Sequence, residues 1–428
     1  MGGVAVVAAV LLVYAVVEGR LRPTPVSGAM LFTGVGLLAS EQVSGLFSAS
    51  LEGDAAEFLE LTLVVVLFTD AMAVNASGWA TEAPLPVRLL GVGLPLTMVV
   101  GWAFAFVLFP HVGVWGAALL AAVLAPTDSA LGLPVINDER VPRLIRHALN
   151  VEGGVNDGLA LPFVTIFLAL ALEKEGVVGG GHVATVFLRA LVASAAIGLA
   201  IGWAGALALR WSMENGWSGR HWRSVALLAM AVLGFVLADE IDGSGFIAAW
   251  AAGLAAGLAS RGTLTEAQQT PEEIANIGVS VSFVLFGAFF LAPALEHVTW
   301  TALGYAILSL TVIRFVPVAI ALRGSRLAFP TVAYVGWFGP RGLASIVFAD
   351  LVASSELPQQ DLIVEVVMLT VGLSVLLHGV SATWGASRYA GWYSHAVARN
   401  PDIREAAEAP QVPSRVRLAQ SDRPSRSR

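Results

Sequence analysis

Long apolar runs, each closed by a short polar stretch, recur along most of the chain. They fall at roughly 4–17, 26–40, 56–75, 88–109, 113–135, 144–172, 183–209, 224–239, 244–260, 274–294, 299–321, 330–352 and 362–386. A helix needs roughly 17–25 apolar residues to cross a bilayer, so the pattern predicts an all-α polytopic membrane protein with about thirteen transmembrane helices. The first run is followed, not preceded, by Arg20 and Arg22. A cleaved signal peptide has the reverse order, so this run reads as a retained span. The apolar pattern stops near residue 394, and 394–428 is rich in Pro, Ser, Gln, Glu and Arg. That composition predicts a disordered tail after a membrane domain of residues 1–393.

Composition agrees with lipid as the main solvent. Hydrophobic residues make up 57% of the chain and charged residues 13%, far less charge than a water-soluble surface carries. Cysteine is absent, which excludes a disulfide framework, a thiolate metal site and a Cys nucleophile. Lys174 is the sole lysine, so no Gly-Lys-Ser/Thr phosphate loop exists to power pumping by ATP. The histidines are scattered and form no paired metal motif. Arginines cluster after odd-numbered spans, as at Arg20, Arg140, Arg143, Arg210, Arg220, Arg223, Arg261 and Arg323. Connections after even-numbered spans hold acids such as Glu52, Asp54, Glu173 and Glu240. The positive-inside rule then places the N-terminus outside and the C-terminus in the cytoplasm.

A charge at bilayer depth costs at least ~2.5–3.5 kcal/mol, so the few that are present point to function. Asp70, Asp128, Glu152, Asp157 and Arg341 lie deep within spans. Four acids and one base suit a path for cations and protons; structural ion pairing is the alternative reading. Arg189 and Arg314 lie within spans 7 and 11 and read as snorkelling or helix-end anchors.

Two spans carry helix-breaking sequences. Span 5 reads Val123-Leu-Ala-Pro-Thr-Asp-Ser-Ala-Leu-Gly-Leu-Pro134, and span 12 reads Gly336-Trp-Phe-Gly-Pro-Arg-Gly-Leu-Ala-Ser345. Proline removes a backbone donor, and freed backbone groups at membrane depth must line a cavity. Either could be an ordinary kink when taken alone. With 183–209 as a linker helix, however, about 1–172 and 224–393 become two six-span units, and each break falls on the fifth member. Matching interrupted helices are the pointer to an inverted-repeat transporter with a midplane site. Crossed breaks bring positive and negative helix ends to one depth, and Asp128 and Arg341 suit the task of offsetting them.

Span 6 contains Asn150-Val-Glu-Gly-Gly-Val-Asn-Asp-Gly158. Glu152 and Asn156 share a helix face, whereas Glu152 and Asp157 point about 140° apart. Gly153, Gly154 and Gly158 thin the helix, for close packing or for a hydrated ion. Gly253-x-x-x-Gly257 is a further packing face.

At these residues the chain resembles the NhaP-like branch of the cation:proton antiporters, the family of the sodium–hydrogen exchangers. Ala125-Pro-Thr-Asp128 is similar to the Thr-Asp-Pro signature of the family's first broken helix. Glu152-Gly-Gly-Val-Asn-Asp-Gly158 is similar to Glu-Ser-x-x-Asn-Asp-Gly, and Gly339-Pro-Arg-Gly342 to the Arg-Gly element of the second broken helix. The resemblance covers all thirteen spans and implies the crossed-helix antiporter fold. It implies that Asp157 alternates between proton and cation, that Asn156 supports it, and that Thr127 is an ion ligand. It further implies that Asp128 stabilises the crossing, that Glu152 pairs structurally with Arg341, and that Asp70 points at the site. The cation is thus expected at Asp157, Thr127 and Asp70. Two positions depart from the pattern: Ser129 replaces the family's proline, and Gly153 replaces its serine. Ser129 or a water is then expected to fill the hydroxyl vacancy.

The expected activity is secondary antiport of a monovalent cation for H+, with Na+ as first choice and Li+ or K+ open, and with no cofactor. A buried carboxylate holds either a proton or a cation, and each displaces the other. With Asn156 neutral and Glu152 paired, one free acid remains on span 6, which gives electroneutral one-for-one exchange. Expected partners are the two ions and lipid, and no nucleic acid; the resemblance further implies a second copy in a homodimer. A sodium-coupled symporter of a small organic anion is the competing reading.

Overall fold

The computed structural model describes residues 2–21, 24–75, 84–177 and 183–407. Arg22 and the tail beyond residue 407 lie outside the described residues. Among the described residues the chain is helical, without strands. Thirteen segments follow in order. They are α1 (Gly2–Leu21), α2 (Gly28–Ala39), α3 (Glu52–Asn75), α4 (Pro84–Leu108), α5a and α5b (Gly113–Val123 and Ser129–Ile136), α6 (Arg143–Lys174) and α7 (Val183–Glu214). Then come α8 (Arg220–Asp239), α9 (Gly245–Ser260), α10 (Gln269–Ala294), α11 (Trp300–Ala321), α12a and α12b (Phe329–Trp337 and Leu343–Ala353) and α13 (Gln360–Arg399). Eight of these are long and apolar enough to cross a membrane by length and composition.

Small residues set the closest helix contacts. Gly198 and Gly202 of α7 lie against the carbonyls of Ala248 and Ala252 on α9, and Gly253 and Gly257 on the other side of α9 lie against Phe68 and Met72 of α3. A methyl group at any of these positions would overlap backbone, so the glycines let three helices pack in one layer. The expected packing role of Gly253 and Gly257 is what the contacts show.

The breaks in α5 and α12 fall where proline and glycine predict them. Helix stops at Val123 and restarts at Ser129, and stops at Trp337 and restarts at Leu343. The backbone amide of Asp128 donates to Pro340 O at 2.8 Å, so the two interruptions meet. A further irregularity, in α11, is not foreshadowed in the sequence analysis. Thr311 leaves the helical region (φ −115, ψ −92) and divides α11 just before Arg314.

The chain also stays ordered past residue 394. Helix α13 runs to Arg399, and Glu405 is buried at 2% exposure. Its Oε1 accepts from the backbone amide of Ala328 at 2.8 Å and from Thr331 Oγ1 at 2.7 Å, capping the open N-terminus of α12a. Residues 394–407, read from the sequence as part of the tail, are therefore structured, because a helix end must satisfy its free amides and Glu405 does so here. Replacing Glu405 with Ala strips these acceptors from a buried site. The expected cost is about 1–3 kcal/mol, read as a lower melting temperature and faster amide exchange at 328–332. Unchanged exchange there would show that the cap is dispensable.

Candidate functional site

The crossing is held by two charged side chains in complementary roles. Asp128 Oδ1 accepts from the amides of Ala130 (2.7 Å) and Leu131 (3.0 Å), and Oδ2 accepts from the amide of Leu343 (2.8 Å). One carboxylate thus caps the positive N-terminal ends of both α5b and α12b. Arg341 does the opposite. Its Nη1 donates to the carbonyls of Ala125 (2.5 Å) and Pro126 (2.8 Å), the negative end of α5a. Its backbone amide donates to Ser374 Oγ at 2.7 Å. Gly342 permits the approach, since a Cβ there would overlap the Asp128 carboxylate. Opposite charge at opposed helix ends is the arrangement expected from the sequence.

The remaining end, the C-terminus of α12a, is met by a residue the sequence reading passed over. His378 Nε2 lies 2.9 Å from Trp337 O, and its Nδ1 lies 3.0 Å from Ser374 O. His378 is 2% exposed. Its signal in the sequence was its place four residues after Ser374 inside an apolar span, which puts both on one helix face.

The expected pairing of Glu152 with Arg341 is not what forms. Glu152 pairs with Arg314: Nη1 donates to Oε1 at 2.5 Å and Nη2 to Oε2 at 2.8 Å. Both side chains are 3% exposed. The reason is competition for donors. Arg341 is turned toward the carbonyls of Ala125 and Pro126, and the irregular turn at Thr311 delivers Arg314 to Glu152. Arg314 is therefore a buried partner rather than a snorkelling anchor. The sequence signal was Thr311-Val-Ile-Arg-Phe-Val-Pro317, a base beside a helix-distorting proline in an apolar run. Arg189, by contrast, is exposed.

Asp157 sits beside this frame. It is 7% exposed, and its Oδ1 has no hydrogen-bond partner. It lines a cleft of about 420 Å³ with Asp128, Ser129, Thr69, Glu272 and Asn276 among others. Asn156, 1% exposed, donates from Nδ2 to Thr127 Oγ1 at 2.7 Å, while its Oδ1 is unpartnered. Thr127 lines a second cleft, of about 250 Å³, that shares Asp128 and Ser129 with the first. The Thr127–Asp128–Ser129 segment thus stands between two clefts, with Asp157 on one side and Thr127 on the other. Asp70 is brought to the same helix one turn away, its Oδ2 placed 3.4 Å from where a Cβ of Gly154 would be. Of the three glycines of span 6, Gly153 lies tightly against Ser129 and Gly158 leaves no room beside the Trp250 indole, whereas a Cβ on Gly154 would meet Asp70 at ordinary contact distance. A Cβ on Gly153 would lie 3.1 Å from Ser129 Cβ and 3.2 Å from Ser129 N. The start of α5b therefore occupies the space that a serine at 153 would need.

Chemically, the arrangement offers one buried carboxylate oxygen free to take a proton or a cation. Neutral oxygens lie nearby, and every charged helix end at the crossing is already matched. Among the described residues no group of three or more His, Asp or Glu side chains could hold a resident metal ion.

Comparison with known proteins places this geometry in a family. The profile described as "Sodium/hydrogen exchanger, transmembrane" matches residues 6–387. The K(+)/H(+) antiporter NhaP of Alkalimonas amylolytica is 24% identical over 371 residues, 85% of this chain and 62% of that protein. The uncharacterized Na(+)/H(+) exchanger YjcE of Escherichia coli K12 is 26% identical, over 65% of this chain and 50% of that protein. The chain thus spans about half to two thirds of the length of these relatives. The fold is that of the sodium proton antiporter MjNhaP1 from Methanocaldococcus jannaschii at pH 8. The TM-score is 0.70 at 20% identity, covering 91% of this chain and 98% of that one. With the family profile matched across nearly all of its spans, and with crossed half-helices capped by Asp128 and Arg341, the chain belongs to the sodium/hydrogen exchanger family of membrane proteins.

Proposed function

We propose that the chain is a secondary active antiporter, not an enzyme, that exchanges one monovalent cation for one proton. The observation that carries this is Asp157, a buried carboxylate with an unpartnered oxygen at a cleft beside the helix crossing. Desolvation favours the protonated form of such a group and a bound cation favours the ionised form, so the two ligands compete. Asp157 is the carrier. Asn156 holds the Thr127 hydroxyl in place, Thr127 and Ser129 offer neutral oxygens from the two sides of the broken segment, and Asp70 adds negative charge one turn away. Ser129 takes over the hydroxyl role that Gly153 cannot fill. Asp128 maintains the crossing. The transported ion is Na+, K+ or Li+, and the names of the relatives give K+ the same standing as Na+.

Residues of about 1–172 and 224–393 form the two repeats, with the helix at about 183–209 as linker. The arginine distribution supports a multi-pass protein of the plasma (inner) membrane, N-terminus outside and C-terminus in the cytoplasm. Two copies assemble as a homodimer with one path each, and the exchange serves pH and cation homeostasis. A symporter of organic anions would need a cation facing the substrate. Neither Arg341 nor Arg314 lines either cleft, and both face carbonyls or Glu152.

The test is proton flux in proteoliposomes under Na+, K+ and Li+ gradients, with membrane potential clamped by potassium and valinomycin. At least one cation should drive flux that is insensitive to voltage. Asn156→Asp adds a second acid, so its exchange should become voltage-dependent. Wild-type flux driven by voltage would end the one-for-one assignment, and no flux with any of the three cations would end the antiport reading.

A further inference from the structure

The cleft that holds Asp157 has another carboxylate at its rim. The first turns of α10 place Glu272, Ala275, Asn276 and Val279 on the cleft lining, with Asp128, Ser129 and Asp157 on the same lining. These positions are three or four apart and form one stripe along the helix. Asn276 is exposed, so the cleft opens beside it. Glu272, one turn nearer the helix start, is only 9% exposed. The rim is fixed in place by Gln268, 5% exposed, whose Nε2 donates to Thr69 O of α3 at 3.1 Å. Among the described residues Glu272 forms no ion pair, and the side-chain hydrogen bond that reaches it comes from the neutral amide of Gln268. A sunken carboxylate without a counter-ion is costly to keep for packing alone. Here it faces the same cleft as the unpartnered Oδ1 of Asp157.

We propose that Glu272 is an outer cation station, a carboxylate that draws the monovalent cation into the cleft and takes part of its hydration shell before the ion reaches Asp157. The proposal rests on the antiport reading. Clefts lined by one sign of charge focus the field and raise the local concentration of the counter-ion. The effect is larger inside protein than in water because screening is weaker there. Glu272 sets how readily the cation arrives. Asp157 performs the exchange, so the two residues separate apparent affinity from turnover.

The experiment compares wild type, Glu272→Gln and Glu272→Asp, each as the full chain in proteoliposomes, by cation-dependent proton flux. Glu272→Gln keeps shape and removes charge. Its KM for the cation should rise about three- to tenfold, with maximal flux within about twofold of wild type. Glu272→Asp should restore most of the affinity. The difference between wild type and Glu272→Gln should largely persist in choline chloride, because a nearly buried charge is screened little by salt. An unchanged KM in Glu272→Gln, beside normal wild-type flux, overturns the station alone. So does a KM increase that the Asp variant does not reduce, since that marks a packing defect. Absent flux in the wild type removes the antiport reading, and the station with it.

Discussion

Asp157→Asn should yield a folded protein that gives no cation-dependent proton flux at any pH. The substitution keeps the volume of the side chain but can neither release a proton nor present a negative charge. Its position makes a large fold defect unexpected. Oδ1 of Asp157 has no hydrogen-bond partner to lose, and the charges that hold the crossing are those of Asp128 and Arg341. Replacing an unpaired buried carboxylate with an amide even removes a desolvation cost. The melting temperature should therefore hold or rise while transport disappears. The measurement is flux in clamped liposomes alongside thermal unfolding in mild detergent. Substantial flux through Asp157→Asn would show that another group carries the proton.

Glu152→Gln should do the reverse, damaging stability first. Glu152 and Arg314 are buried and joined by two parallel hydrogen bonds. Removing one member of such a pair strands the other charge in protein, typically at about 3–5 kcal/mol. The stranded charge would have company, because Arg341 is also fully buried and lies within electrostatic reach of both Arg314 and Glu152. Two guanidinium groups and one carboxylate share this region, so losing the carboxylate leaves like charges facing each other. Expression and melting temperature should fall sharply. Replacing both partners, Glu152→Met with Arg314→Met, should recover much of the loss, as buried pairs exchanged together for apolar groups often do. A Glu152→Gln protein of normal stability but without transport would mean that Glu152 binds the transported ion.

The contrast between Asp157 and Glu152 was partly readable from their spacing. Five positions apart on one helix, they face different neighbours, and the contacts bear this out. Glu152 meets α11, whereas Asp157 meets the cleft between α5b and α10. Spacing could not tell which arginine Glu152 would meet. Arg341 and Arg314 both lie in apolar runs, and hydropathy assigns no partner. The choice was made by the free carbonyls of Ala125 and Pro126, which draw Arg341 to the end of α5a, and by the irregular Thr311, which turns Arg314 inward.

Local chemistry in the chain was enough to set the order of the helical segments, the positions of the two breaks, and the placing of Asp128 and Arg341 at helix ends. Apolar run length, proline's missing donor and the sign of a helix terminus are properties of short segments, so one dimension carries them. Three-dimensional packing determined the rest. It brought Ser129 into the space left by Gly153, ran Glu272 of α10 along the Asp157 cleft, set His378 against the last carbonyl of α12a, and folded Glu405 back onto α12a. Each of these joins residues from separate segments, some more than seventy positions apart in sequence. Which polar groups meet is settled when buried donors, acceptors and charges find partners at once in a medium that penalises any left over.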